Sequence, residues 1–471
     1  MGTFRVFRHY LRVPFLALAL IEFLVCALAV FVAVYVRFDG LELVSLEGSD
    51  DPLVSALMFG VVMTASMTAM GLYQSSFRGG SLGVLLRILI GFLVGIFVLA
   101  LVYYFFPSLY LGRGVLMIAM VLAFFIVGTV RPLFVYYVDK EFIKVRVAVL
   151  GTGKRAASIG ARLRRKSDRR GFTVVNYIDI GLHSDEEAVV DQGVISLPNK
   201  SLLQYCEENN VEELIVALDE RRNRLPIDEL LECKLSGIDI IDVLTFFERE
   251  QGKLPLDILT PDWMIFSDGF DQGALRDVFK RTFDVTVSTL LLLFTWPIMA
   301  LAALAIKLED GSHCPVIYRQ VRTGQRNESF SVLKFRSMSV NAEENGKPQW
   351  ASRNDSRVTR VGAFIRRTRI DELPQIINVL RGDMSFVGPR PERPEIIQDL
   401  EREIPYYRER HRVKPGVTGW AQVCYPYGAS ITDSRHKQEF DLYYVKNHTM
   451  FLDLLILFQT AEVVLFGKGV R

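Results

Sequence analysis

The chain has 471 residues, a net charge of +2 and 50% hydrophobic residues. The hydrophobic share is high for a soluble enzyme and fits an integral membrane protein with polar domains attached, while the net charge says little, because its distribution matters more than its sum. Five scattered cysteines (Cys26, Cys206, Cys233, Cys314, Cys424), with no CxxC and no metal-ligand spacing beside the six histidines, read as reduced thiols in the cytosol or in lipid.

Four stretches are apolar enough to span a bilayer: roughly Pro14 to Val36, Val54 to Tyr73, Gly83 to Phe106 and Gly114 to Val130. The first is too long for a cleaved signal peptide and lacks a small-residue cleavage site. Arg5, Arg8 and Arg12 precede this unit and Arg131, Lys140, Lys144 and Arg146 follow it, whereas the first loop holds Asp39, Glu42, Glu47, Asp50 and Asp51 against Arg37 alone. Both ends of a four-helix transmembrane domain, 1–140, are therefore expected in the cytoplasm. Glu22 lies mid-span, where a carboxyl is expensive, so it is expected either protonated or paired with another helix, with a functional role as the alternative.

A second domain, 141–250, opens with "VRVAVLGTGKRAASIGARLRR". An apolar strand (Val145 to Leu150) runs into Gly151, Gly153 and Ala156 and then a helix, the context of a Rossmann glycine turn. Asp179 ends the next strand, about where a ribose-binding acid would lie, and the alternation of strands and helices continues to about Glu250. Gly151, Gly153 and Asp179 are therefore candidate nucleotide contacts. The competing expectation is a Rossmann-like module whose tight turn serves packing.

A linker rich in Pro, Asp and Gly, 251–276, leads to a fifth apolar block, Val285 to Ile306, free of charged residues. Lys280 and Arg281 flank one end and Lys307, Arg319 and Arg322 the other, so neither side looks external. Pro297, near the middle, removes one helix hydrogen bond and clashes with the preceding turn. A re-entrant helix over about 280–307, breaking near Trp296 and Pro297, satisfies both facts and leaves the arginine-rich region beyond it in the cytoplasm.

Beyond it, nine arginines and no lysine fall between Arg353 and Arg393. In their midst Asp371 and Glu372 begin a compact helix, with Pro374 in its first turn and Gly382 placed to end it. Capping alone would account for the acids but not for the arginines, whose forks grip phosphate oxygens in pairs. A carboxylate among phosphate-binding groups can hold Mg²⁺ against a diphosphate or attack phosphorus itself. A basic surface for anionic lipid is the rival, and it needs no acids. In the closing stretch, "TMFLDLLILFQTAEVVLFG", Asp453 and Thr460 share one helical face, which suggests an interfacial helix, with a core helix as the alternative.

"FSVLKFRSM", "TRVGAFIRRTRIDELPQIINVLRGDMSFVGPRPERPE", "RHRVKPGVTGWAQV" and "FDLYYVKNHTMFLDL" resemble the monotopic phosphoglycosyl transferases, the bacterial sugar transferase family, over about Lys280 to Arg471. The whole arrangement resembles its large members, and "PYGAS" and "KGVR" resemble the exopolysaccharide and exosortase subgroup. The resemblance implies a membrane α plus α/β protein: a four-helix unit, a Rossmann-like domain, and a mostly helical catalytic domain, 277–471, with a re-entrant membrane helix. It implies transfer of a hexose-1-phosphate from a UDP-sugar to undecaprenyl phosphate at the cytoplasmic face of the bacterial inner membrane, with release of UMP. Asp371 is then the nucleophile of the Asp-Glu pair, and Mg²⁺ is implied near Asp371 and Glu372. Lys334, Arg336, Arg390 and Asp441 match family active-site positions, Lys334 and Arg390 being assigned to phosphate. "DGSHCPVIYRQ" departs from the family's Gly-Pro before the tyrosine of the strand after the membrane helix. A homo-oligomer is left open and nucleic acid is not expected.

Two other classes compete. A membrane-bound nucleotide-sugar dehydratase would need Tyr-x-x-x-Lys downstream of the glycine turn, and Tyr136 with Lys140 lies upstream of it. A non-catalytic sugar-nucleotide sensor or scaffold would use Asp371 and Glu372 only to cap a helix.

Overall fold

The computed structural model of the protein describes residues 3–6, 9–38, 52–70, 72–73, 81–138, 144–163, 169, 171–179, 190, 193–197, 200–220, 225–270, 273–311, 313–339, 357–425, 428 and 430–465. The acidic first loop, Arg8, Lys140, Arg353, Pro426, Tyr427, Ala429 and the terminal "KGVR" lie outside the described residues. The chain divides into two compact units, Met1–Gly252 and Lys253–Arg471.

In the first unit an antiparallel hairpin, β1 (Thr3–Val6) and β2 (His9–Arg12), precedes four long apolar helices: α1 (Val13–Phe38), α2 (Pro52–Ala69), α3 (Ser81–Phe105) and α4 (Arg113–Val138). α1 packs against α2 and α4, and α3 against α2 and α4. Small residues let backbones approach: a Cβ on Gly60 of α2 would lie 3.0 Å from the Phe23 ring. Leucine and phenylalanine cover the outside, including exposed Leu28, Phe97 and Phe125.

The fourth helix continues past the expected end at Val130, through Arg131 and Pro132, to Val138. Arg131 was read as a flanking charge; instead it is buried, bonds Glu22 of α1 at 2.7 Å, and donates to the Leu72 carbonyl at 2.7 Å. Tyr73 also donates to Glu22, at 2.5 Å. The expected helix pairing of Glu22 is met, because a buried carboxylate is tolerable only beside its counter-charge.

The rest of this unit is β3 (Val145–Leu150), α5 (Lys154–Arg162), β4 (Phe172–Asp179), β5 (Val194–Ser196), α6 (Leu202–Glu208), β6 (Glu213–Val216), α7 (Ile227–Leu235), β7 (Asp239–Asp242) and α8 (Val243–Gln251). The five strands form one parallel sheet in the order β5-β4-β3-β6-β7. The continuous apolar runs of β3 and β6 follow from burial on both faces. Ala148, Leu150, Leu214 and Val216 pack with Leu202, Tyr205 and Cys233 of α6 and α7.

The second unit comprises α9 (Pro261–Phe266), α10 (Ala274–Asp310), β8 (Ile317–Thr323), β9 (Ser329–Phe335), α11 (Arg360–Arg367), α12 (Gln375–Arg381), β10 (Ser385–Val387), α13 (Pro394–Glu403), β11 (Gly416–Thr418), α14 (Trp420–Cys424), α15 (Ile431–Asn447) and α16 (Met450–Leu465). The segment expected as a linker packs along α15: Leu254 N–H bonds the Glu439 carbonyl, Phe270 N–H bonds the Lys446 carbonyl, and the Lys446 ammonium sits 4.2 Å from the Trp263 ring centre.

One continuous helix runs from Ala274 to Asp310 with Pro297 inside, so proline does not divide it in two. One missing N–H leaves the neighbouring helical bonds intact. Among the described residues α10 is the fifth helix long and apolar enough to cross a membrane. In α16 the polar positions turn into the protein: Asp453 bonds Lys280 at 2.5 Å and Tyr444 at 2.7 Å, and the Thr460 hydroxyl lies 2.6 Å from that of Thr418. Buried hydrogen-bond partners outweigh what those groups would gain from water.

Candidate active site

The acidic pair sits in a tight reversal of the chain. After α11, Arg369 adopts a left-handed backbone (φ 60°), and a single 3-10 turn, Ile370–Glu372, carries both acids before Pro374 caps α12. Gly382 ends α12 in the left-handed conformation (φ 94°), as its sequence position suggests. Ile365 of α11, Ile370 and Leu373 pack with Ala302 and Ile306 of α10 and Phe335 of β9. The apolar side of the turn is thus held in the core while the acids project from the other side.

Three cations converge on Glu372. Lys334 of β9 lies 3.3 Å from its Oε1, Arg369 3.5 Å and Arg390 3.7 Å. Burial alone would push this carboxyl up, but Lys334, Arg390 and Arg369 together hold it at about 2. The neighbouring Asp371 behaves in the opposite way. Burial, and then the negative charge of Glu372, raise it to about 6 against the pull of Lys334, Arg369 and Arg366. Its Oδ1 is buried and accepts no hydrogen bond among the described residues. Lys334 is itself shifted down by burial, partly offset by Glu372.

An ionised, firmly held Glu372 beside a desolvated Asp371 with an unused oxygen gives the pair distinct chemical characters. The second can act as a nucleophile or take a hard cation; the first maintains the field. Two adjacent carboxylates, one with an unbonded buried oxygen, fit the one or two protein ligands with which Mg²⁺ is usually held, the remainder coming from phosphate oxygens and water. No group of three or more His, Cys, Asp or Glu side chains suited to a metal occurs among the described residues, so an all-protein cage is not formed there.

Of the residues singled out from sequence, Asp371, Glu372, Lys334 and Arg390 come together. Arg336 lies two positions beyond Lys334, buried, with Nη2 on Asp310 at 2.8 Å and with Nε and Nη1 unbonded among the described residues. Asp441 is not in this cluster: it is 2% exposed on α15 and bonds Arg410 at 2.8 Å. Arg369 was not singled out from sequence, since one arginine among nine has no mark of its own until the left-handed turn aims it back at Glu372.

The glycine turn of the first unit is arranged differently. Gly151 (φ 120°) and Gly153 lead into α5, but the first N–H groups of that helix are already bonded: Lys154 N–H donates to Asp219 Oδ2 at 2.6 Å and Arg155 N–H to Oδ1 at 2.8 Å. A Cβ on Gly153 would stand 2.3 Å from Asp219 Oδ2. Asp219 follows β6, the strand beside β3 where the sheet order reverses, and Val190 N–H bonds the Thr152 carbonyl across the same turn. Asp179 does end β4.

The family model described as bacterial sugar transferase matches residues 275–467. The chain is 41% identical over 242 residues to a UDP-N-acetylgalactosamine-undecaprenyl-phosphate N-acetylgalactosaminephosphotransferase of Aeromonas hydrophila, covering 51% of this chain and 56% of that protein. It is 33% identical over 331 residues to an undecaprenyl-phosphate glucose phosphotransferase of Komagataeibacter xylinus, covering 69% and 60%. It is also 33% identical over 337 residues to a UDP-glucose:undecaprenyl-phosphate glucose-1-phosphate transferase of Klebsiella pneumoniae, covering 70% of each. The chain thus spans less than two thirds of the first two relatives. The acid pair, Lys334 and Arg390 all lie inside the family match, and the chain belongs to the bacterial sugar transferase family.

Proposed function

We propose that the protein transfers a sugar-1-phosphate from a UDP-sugar to undecaprenyl phosphate in two displacements at Asp371. In the first, an Asp371 oxygen bonds to the sugar-bearing phosphorus, the bond from that phosphorus to the bridging oxygen breaks, and UMP leaves. In the second, a phosphate oxygen of undecaprenyl phosphate attacks the same phosphorus; the aspartyl oxygen departs as carboxylate and undecaprenyl-diphospho-sugar is released. The observation that carries this reading is the buried, unbonded Asp371 Oδ1 beside a Glu372 gripped by three cations.

Lys334 and Arg390 neutralise and orient the diphosphate, letting an anionic nucleophile approach. Glu372 keeps those cations in place and keeps the proton off itself. Mg²⁺, held by Asp371 and Glu372, would supply further neutralisation of the leaving diphosphate oxygens. The relatives' names mention N-acetylgalactosamine and glucose, so the donor class is a UDP-hexose or UDP-N-acetylhexosamine.

α10 is read as a re-entrant membrane helix. Arg281 near its start bonds the Val379 and Leu380 carbonyls of α12, while Ala302 and Ile306 near its end belong to the core cluster on which Leu373, just before α12, packs. A straight helix would separate residues 281 and 306 by about 37 Å, whereas residues 373 and 379 are about 9 Å apart along helical backbone. Bending about Pro297 reconciles the two spacings. Between these ends Leu293, Phe294 and Trp296 are exposed, as lipid contact requires. The four helices of the first unit are read as spanning, with both ends cytoplasmic, and the acid pair is read as lying at the cytoplasmic face of the bacterial inner membrane. The parallel sheet is read as Rossmann-like on its strand order and glycine turn.

The test is a panel of UDP-glucose, UDP-galactose, UDP-N-acetylglucosamine and UDP-N-acetylgalactosamine, with UMP release as readout and intact-protein mass after donor alone. UMP release with a phosphosugar adduct lost in Asp371→Asn is expected; an active preparation that never carries the adduct would refute the covalent route.

A further inference from the structure

The segment that carries Arg390, "VGPRPE", is held at almost every carbonyl. The Val387 carbonyl accepts from Tyr444 at 3.0 Å and Lys280 at 3.2 Å, the Pro389 carbonyl from Gly416 N–H at 3.0 Å, and the Glu392 carbonyl from Thr323 N–H at 3.0 Å. Between these, two arginines reach in: Arg410 Nη2 donates to the Arg390 carbonyl at 3.0 Å and Arg322 Nη1 to the Pro391 carbonyl at 3.1 Å. Pro389 and Pro391 fix their own φ and offer no N–H. Arg390 therefore leaves a backbone with little freedom, and its guanidinium reaches Glu372.

Arg410 is the buried member of the set, 5% exposed, and it reaches this carbonyl only because its charge is balanced. Asp441 bonds the same Nη2 at 2.8 Å, Tyr407 accepts from Nη1, and the Tyr407 ring lies 4.9 Å from the guanidinium carbon. Among the described residues Asp441 makes no hydrogen bond or ion pair with Asp371, Glu372 or Lys334; its link to the site runs through Arg410.

The geometry points to Asp441 and Arg410 as positioning residues for Arg390: the buried pair fixes the Arg390 backbone, and thereby the distance of its guanidinium from Glu372 and from a donor diphosphate. This rests on the proposed transferase reading. It differs from a direct contact of Asp441 with substrate, and it predicts that Asp441 matters only while Arg390 is present.

A kinetic double-mutant cycle separates the two. kcat and KM for UDP-sugar are measured for wild type, Asp441→Asn, Arg410→Lys, Arg390→Lys and the two doubles with Arg390→Lys, all as the full chain in lipid nanodiscs. Asp441→Asn and Arg410→Lys are expected to lower kcat/KM about thirtyfold alone, but less than about threefold in the Arg390→Lys background. Equal losses in both backgrounds overturn the proposal and leave the transferase reading standing. Should Asp441→Asn not fold, Arg410→Lys, which keeps the charge but loses the fork, carries the cycle alone by the same criterion. A wild type inert with every donor sinks both.

Discussion

The head of α5 and the turn before α12 are both built to favour negative charge, and they differ in who supplies it. At α5 the protein fills its own site: Asp219 takes the two N–H groups that a dinucleotide's pyrophosphate would need. At the acid pair the protein does the reverse, surrounding Glu372 with cations while leaving one Asp371 oxygen buried and unbonded. Cost separates the two, and it is the ground for proposing the acid pair as the functional site. A satisfied cap stabilises the fold, whereas a desolvated carboxylate with one oxygen left unbonded costs stability, a cost typical of groups poised for chemistry.

The largest effect that would break this contrast is at position 371. Asp371→Asn is expected to reduce UMP release by about a thousandfold or more, since the nucleophile is removed. The same change should make the protein more stable at neutral pH, by on the order of 3 kcal/mol. The sign follows from the raised carboxyl: with a folded value of about 6 against a usual 3.8, its contribution to stability is full below the usual value and lost as pH rises through 6. An inactive variant with an elevated Tm would confirm the contrast; an inactive variant with a lowered Tm would mean Asp371 is structural.

Chelating divalent ions from the purified protein should cost about a hundredfold in UMP release, restored by Mg²⁺. Undiminished release in excess EDTA would remove the metal from the proposal.

A smaller change comes from pH. Below about 6 the Asp371 carboxylate takes up a proton, so kcat/KM should fall about tenfold per unit of pH, with a plateau above. A profile flat down to pH 5 would show that the nucleophile is not desolvated.

The smallest effect belongs to the self-filled site. Hydrogen exchange over residues 151–163 of the wild type should not respond to NAD⁺ or to pyrophosphate. Asp219→Ala should cost about 1 kcal/mol of stability, as loss of a helix cap does, and gain protection from pyrophosphate in that segment. NAD⁺-dependent protection in the wild type would make the two sites alike after all.

Much of the architecture was legible because its signals are local. Apolar runs long enough for a bilayer, the strand–glycine–helix pattern at Val145 to Ala156, and the stop at Gly382 depend on neighbours in sequence. Arg131 was misplaced for the same reason: a charge at the end of an apolar run reads as a flank unless its partner, 109 residues away in Glu22, is known. Asp453 and Thr460 showed their shared face but not the direction it turns. Within the site, adjacent acids among arginines marked the chemistry, while Arg369, Arg410 and Asp219 carried no local mark.

Sequence alone determined which groups are present: a membrane-sized hydrophobic share, an acid pair in an arginine-rich stretch, and motifs in family order. Tertiary structure decided that Glu372 collects three cations while one Asp371 oxygen stays unbonded, that Asp441 pairs with Arg410, and that Asp219 closes the glycine turn. The reason is that hydrogen bonding and desolvation depend on distance through space, and several of the deciding neighbours are far apart in sequence, 31 residues for Arg410 with Asp441 and 65 for Lys154 with Asp219.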